Sequence, residues 1–115
     1  MIVRPPRILA PRQADTAFDA LQHEVLQEKA STLGRLTQAF ESALAELRRF
    51  EAETGASRSE DQDSRREALL DAAADALWIF VVQREACGLR NTEAVLRDYG
   101  VPTAVRLRMG VHRRR

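Results

Sequence analysis

One apolar stripe constrains the fold of this chain more than any other feature. Between residues 15 and 52, apolar side chains recur at steps of three and four, and no proline interrupts them. This spacing returns each side chain to the same face of an α-helix. It therefore predicts one long amphipathic helix over about residues 15–52. The members of the stripe are Phe18, Leu21, Val25, Leu33, Leu36, Phe40, Ala43, Leu47 and Phe50.

A second helix is predicted after a polar turn. Segment 53–64 is rich in polar residues and contains Gly55, a residue type that commonly follows the last turn of a helix. Asp63 or Ser64 then suits the N-cap position, because a short polar side chain can accept from the first free backbone N–H groups. The second helix is expected to extend over about residues 63–87.

Two short helices complete the predicted domain. Gly88 ends the second helix, and the segment after it predicts a third helix over about 92–98, stopped by Gly100. Pro102 is favoured at the first position of a helix, so a fourth is expected over about 102–109.

The predicted fold is all-α, with a single domain over residues 14–110. A long antiparallel helical hairpin carries the two short C-terminal helices. The second helix is apolar on nearly every side, since Trp78, Ile79 and Val82 add to its main face. A helix of this kind is buried nearly all round. We therefore expect a homodimer in a four-helix arrangement, and the alternative is a monomer whose short helices cover the second helix.

Basic residues are concentrated at the two ends. Residues 1–13 carry three arginines, no acid and three prolines, so we predict an extended basic arm; residues 111–115 form a basic tail. The two short helices also have the outline of a helix-turn-helix. Nucleic-acid binding is therefore an alternative function, against the simpler interpretation of solvated tails. The candidate phosphate contacts are Arg4, Arg7, Arg12, Arg106, Arg108, Arg113, Arg114 and Arg115.

Charged residues interrupt both long helices. If the hairpin turns near residue 57, Glu28 lies near Arg84, and Lys29 lies near Glu85. These opposite charges predict a half-buried polar layer that fixes the register of the hairpin. A third functional hypothesis treats the same layer as a small-molecule or catalytic pocket.

No residue is predicted to be catalytic, and neither a metal site nor a cofactor is expected, because the usual sequence signatures are missing. The single cysteine, Cys87, cannot form an intramolecular disulfide and fits a reducing compartment, so we expect a cytoplasmic protein. No apolar run approaches the length of a membrane span. The leading hypothesis is a non-enzymatic helical interaction protein that binds itself, with another protein partner left open.

Several short segments resemble a family of small bacterial proteins of unknown function. The resemblance spans roughly residues 15–105, and the tail after Gly110 lies outside it. It implies a complete small helical domain and assigns no catalytic or binding residue. The segments that carry it are Gln27-Glu28-Lys29-Ala30, Gly34-Arg35, Gln83-Arg84-Glu85, Cys87-Gly88-Leu89-Arg90, Arg97-Asp98-Tyr99-Gly100 and Pro102.

Overall fold

The computed structural model describes the backbone of residues 5–111 and the side chains of residues 15–111. The secondary structure of this range consists of four helices. No strand occurs in this range, as the all-α prediction requires. The helices are α1 (Pro5–Thr54), α2 (Glu60–Ala86), α3 (Thr92–Tyr99) and α4 (Thr103–Arg108). The chain divides into two compact units, residues 1–31 and 32–115, here termed the first and second unit.

Helix α1 begins ten residues earlier than the periodicity indicates. We expected an extended arm up to residue 13, but the helix starts at Pro5, and only residues 1–4 of that arm lie outside the described backbone. Prolines are tolerated in the first turn of a helix, because the N–H groups of that turn have no helical acceptor. Pro5 and Pro6 occupy this turn, and they are therefore compatible with a helix start as well as with an arm.

The start of α2 is set by a capping box that the sequence prediction missed. Ser59 is the N-cap: its side chain accepts from the backbone N–H of Gln62, whose side chain accepts from the backbone N–H of Ser59. Each residue satisfies a donor that the helix would leave free. Helix α2 therefore begins at Glu60, a few residues before the predicted caps Asp63 and Ser64.

The core of the second unit lies between α1 and α2. Phe40 stacks on Phe80 with ring centroids 5.5 Å apart, and the guanidinium of Arg66 contacts Glu51 at 3.0 Å. Residues near the end of α1 thus face the start of α2, and earlier residues face its middle, which makes the pair antiparallel as predicted. The buried apolar residues are Phe40, Leu44, Leu47, Leu69, Leu70, Ala73, Ala74, Leu77, Phe80, Val81, Leu96 and Val105.

Glycines in the left-handed region end α2 and α3, as the sequence predicted. At Gly88 (φ +77°), the N–H groups of Gly88 and Leu89 donate to the carbonyls of Glu85 and Arg84, which is the Schellman pattern. Gly100 ends α3 with the same pattern of hydrogen bonds. The chain changes direction where α2 and α3 end, and α4 then packs against α2.

Polar contacts fasten the end of α3 to α1. The Nη2 of Arg48 donates to the carbonyls of Tyr99 and Gly100 at 2.6 and 3.0 Å. The Tyr99 hydroxyl donates to Glu41 at 2.8 Å, and its ring packs edge-on against Phe40. Burial, and then the hydrogen bond to Glu41, raise the pKa of Tyr99 above its usual value.

Candidate interaction surface

Four large apolar side chains of the first unit are exposed on helix α1. They are Phe18 (59% exposed), Leu21 (58%), Val25 (45%) and Leu26 (63%), and we call them the N-terminal stripe. Their spacing places them along one side of the helix. A contiguous exposed apolar patch on a helix commonly marks a binding surface.

The helix around this stripe buries none of its side chains. Every residue from 15 to 31 is exposed. The stripe lines a shallow groove of about 410 Å³, together with Gln22 and Lys29. Packing of an apolar face supplies most of the stability of helices in proteins, and a short isolated helix is marginal in water. Burial within residues 15–31 therefore does not supply the stability that packing gives to most protein helices.

The sequence analysis found Phe18, Leu21 and Val25 as part of one long stripe and expected a homodimeric four-helix arrangement to bury it. The difference in length between the two helices could have indicated that part of the stripe has no partner in α2. Helix α1 has 50 residues and α2 has 27, so α2 can pair with only part of α1. The predicted bounds already showed this inequality. Leu26 and Gln22 lay outside the predicted stripe, because they fall beside its central line.

The four residues of the predicted polar layer belong to different units. In the first unit, Glu28 and Lys29 are exposed. In the second unit, Arg84 is half-buried: its Nη2 donates to the carbonyl of Arg90 at 2.8 Å, and its guanidinium lies over the ring of Phe80.

The observed contacts also change the register on which that layer was predicted. With Phe80 opposite Phe40, counting four residues forward along α2 and four back along α1 places Arg84 opposite about Leu36 of α1. Contacts, and not the midpoint of the turn, set this register. The pairing of Glu28 with Arg84, and of Lys29 with Glu85, stays a prediction.

The predicted dimer surface on α2 is partly covered by the second unit itself. Trp78 and Ile79 are half-buried, whereas Val82 is 44% exposed. Gly110 lies so close to the indole of Trp78 that a Cβ at this position would be 3.2 Å from the ring. Gly110 therefore takes up part of the surface that we had assigned to a second copy.

The two arginines of α4 that were candidates for phosphate contacts are paired with carboxylates. Arg106 contacts Glu93 at 2.6 Å, and Arg108 contacts both Glu67 at 2.6 Å and Asp71 at 3.1 Å. The hydrogen bond to Glu67 is the main cause that raises the pKa of Arg108. These pairs reduce the positive field that a phosphate would meet. The other candidate arginines, at 4, 7, 12 and 113–115, lie outside the described side chains.

A groove of about 560 Å³ lies where α2, α3 and α4 meet in the second unit. Val81, Leu96 and Met109 supply apolar surface, and the ion pair of Glu93 with Arg106 lies beside them. Glu85, the member of the predicted polar layer that lines this groove, is exposed. The charged side chains of this groove are thus either paired with each other or exposed, and the pocket hypothesis for the polar layer stays a prediction.

No helix in the described part of the chain is both long enough and apolar enough to cross a membrane.

Comparison with known proteins identifies a family to which the chain is similar. The model of a family of unknown function (DUF6665) covers residues 7–114, nearly the whole chain. The match confirms the resemblance to a family without an assigned function. It also reaches beyond residues 15–105, so the tail after Gly110 lies within the family range up to residue 114 and not outside it. No curated protein and no solved structure matches the chain.

Proposed function

The chain belongs to the DUF6665 family, and we propose that it is a helical interaction protein that binds a second copy of itself through the N-terminal stripe. The observation that carries this proposal is the exposure of Phe18, Leu21, Val25 and Leu26 along one side of α1. Association would remove these side chains from water, and each fully buried large apolar side chain contributes about 1.5–3 kcal/mol.

A second copy is favoured over an unrelated partner by the charges around the stripe. Asp15 and Lys29 bound it at its two ends, with opposite sign, on the same helix. A surface with an acid at one end and a base at the other can meet its own copy without placing like charges together. The expected assembly is a homodimer to which each copy contributes the exposed segment of α1. We expect it in the cytoplasm, a location supported by the reducing environment that a lone cysteine fits.

The test compares two leucines that are both exposed but lie in different units. Leu26→Glu places a charge in the stripe, whereas Leu107→Glu places the same charge on α4, where Leu107 is 75% exposed. Molar mass is measured by light scattering after size exclusion, across a wide range of protein concentration. We expect a dimer for the wild type and for Leu107→Glu, and a monomer for Leu26→Glu.

Two results would contradict the proposal: a wild type that stays monomeric at every concentration, or a Leu26→Glu variant that still forms the dimer. Val82→Glu tests the surface predicted on α2, because Val82 is its most exposed member. A dimer lost in Val82→Glu but kept in Leu26→Glu would move the interface to α2. Circular dichroism on each variant shows that the helices are retained.

A further inference from the structure

We infer that the two copies of α1 pair in antiparallel orientation, with the two-fold axis at Gln22. This inference rests on the proposed self-association through the N-terminal stripe, and it adds the orientation and the register. It follows from which residues share the exposed face and from the signs of their charges.

Five residues share one narrow face of the exposed segment. Asp15, Phe18, Gln22, Leu26 and Lys29 are separated by steps of three, four, four and three. At 100° per residue, these steps keep all five within about 80° of the helix circumference. All of them are exposed. This face therefore reads acid, apolar, amide, apolar, base along the helix, and the other two members of the stripe, Leu21 and Val25, flank it on one side.

This order of residues is complementary to the same order on an antiparallel copy of the helix. When two such faces meet antiparallel about Gln22, Asp15 of one copy faces Lys29 of the second, and Phe18 faces Leu26 of the second. The two-fold axis repeats each pair, which gives two ion pairs and two apolar contacts. At the centre, Gln22 meets the Gln22 of the second copy, and an amide can both donate to and accept from another amide.

Other arrangements lose this match. A parallel, in-register pair places identical residues together, so that Asp15 meets Asp15, Glu28 meets Glu28 and Lys29 meets Lys29. Sliding the antiparallel pair by about one turn places Phe18 opposite Lys29 in one direction, and Asp15 opposite Val25 or Leu26 in the other. Like charges and unpaired charges against apolar residues both oppose association. On this face, complementarity thus favours the antiparallel pair about Gln22 over in-register parallel pairing and over a shift of one turn.

Charge reversal in the full chain tests the inference. Asp15→Lys and Lys29→Glu each place like charges at both ends of the antiparallel dimer, and the double variant restores opposite charges. We expect each single variant to weaken dimerisation roughly tenfold or more, since each changes two symmetric pairs. We expect the double variant to dimerise like the wild type. Sedimentation velocity at low salt measures the dissociation constants.

Glu24→Lys is the matched control, because Glu24 lies on the opposite side of the helix from Gln22. It should leave an antiparallel dimer unchanged. In a parallel dimer built on Phe18, Leu21 and Val25, Glu24 would flank Lys29 of the second copy, so the same variant would weaken association.

The outcomes separate this inference from the proposal beneath it. Unchanged dimerisation in both single variants, or a double variant as weak as the singles, would overturn the antiparallel register while the wild-type dimer persists. A wild type that is monomeric throughout would overturn the proposed self-association itself. Loss of the weakening at high salt supports the ion pairs, because exposed charges are screened.

Discussion

Replacing Phe40 should remove the residue around which the second unit packs. Its side chain is 0% exposed, and it contacts rings from two other helices: Phe80 of α2, stacked at 5.5 Å, and Tyr99 of α3, edge-on at 5.4 Å. Truncation of a buried phenylalanine to alanine costs about 3–5 kcal/mol, through lost burial and the cavity left behind. We expect Phe40→Ala to lose that amount from the free energy of unfolding, a large share of the roughly 5–15 kcal/mol of a typical domain.

A second substitution separates the ring contacts from apolar burial. Phe40→Leu keeps most of the apolar volume and removes both aromatic contacts, which contribute about 0.5–1.5 kcal/mol each beyond buried area. The expected loss for Phe40→Leu is therefore about 1–3 kcal/mol, smaller than for Phe40→Ala. A double-mutant cycle combines Phe40→Leu with Tyr99→Leu. If the two rings pack on Phe40 independently, its coupling energy should not exceed the contribution of one ring contact.

Urea unfolding followed by circular dichroism measures these losses. All variants are made in the Leu26→Glu background, so that self-association does not add to the stability of the folded state. Leu107→Ala is the control, because a leucine that is 75% exposed should change the unfolding free energy by less than about 0.5 kcal/mol. A Phe40→Ala variant as stable as Leu107→Ala would refute the assignment of Phe40 to the core.

Three further predictions concern local contacts. Ser59→Ala removes the capping box of α2 and should cost about 1 kcal/mol, measured by urea unfolding, whereas Ser59→Gly should cost only a few tenths. Gly110→Ala adds a Cβ at 3.2 Å from Trp78 on a residue with φ +82°; it should cost about 1–2 kcal/mol and change the tryptophan fluorescence. Tyr99, the single tyrosine, should ionise above its usual pKa in the folded chain and near pH 10 when unfolded, as read by ultraviolet absorbance.

The linked effect on stability has a definite sign. Since folding raises the pKa of Tyr99, the stability associated with its protonated form is complete below the unfolded pKa and is lost as the pH rises through the folded pKa. The unfolding free energy should therefore decline in the alkaline range, and Tyr99→Phe should remove that part of the decline. Equal tyrosine titration in the folded and unfolded chains would contradict the burial of Tyr99 and its contact with Glu41.

The sequence by itself determined the helices and most of their ends. Three- and four-residue spacing indicates a helix without reference to any other element, because the period belongs to the backbone. Gly88 and Gly100 were found for a similar reason: the left-handed residue that closes a Schellman motif is a local requirement. The start of α2 was also encoded locally, in Ser59 and Gln62, but several neighbouring polar residues could have served as the cap.

Only the tertiary structure decided which side chains these helices bury. The stacking of Phe40 on Phe80 fixes the register of α1 against α2, and periodicity cannot supply it, because every turn of an amphipathic helix offers a similar face. Pairing of Arg108 with Glu67 and Asp71 likewise joins residues far apart in the sequence, so periodicity alone could not show that this candidate phosphate contact also takes part in ion pairs. The stripe from Phe18 to Leu26 carries the same apolar pattern as the core, yet it is exposed, since burial depends on a partner surface and not on the pattern alone.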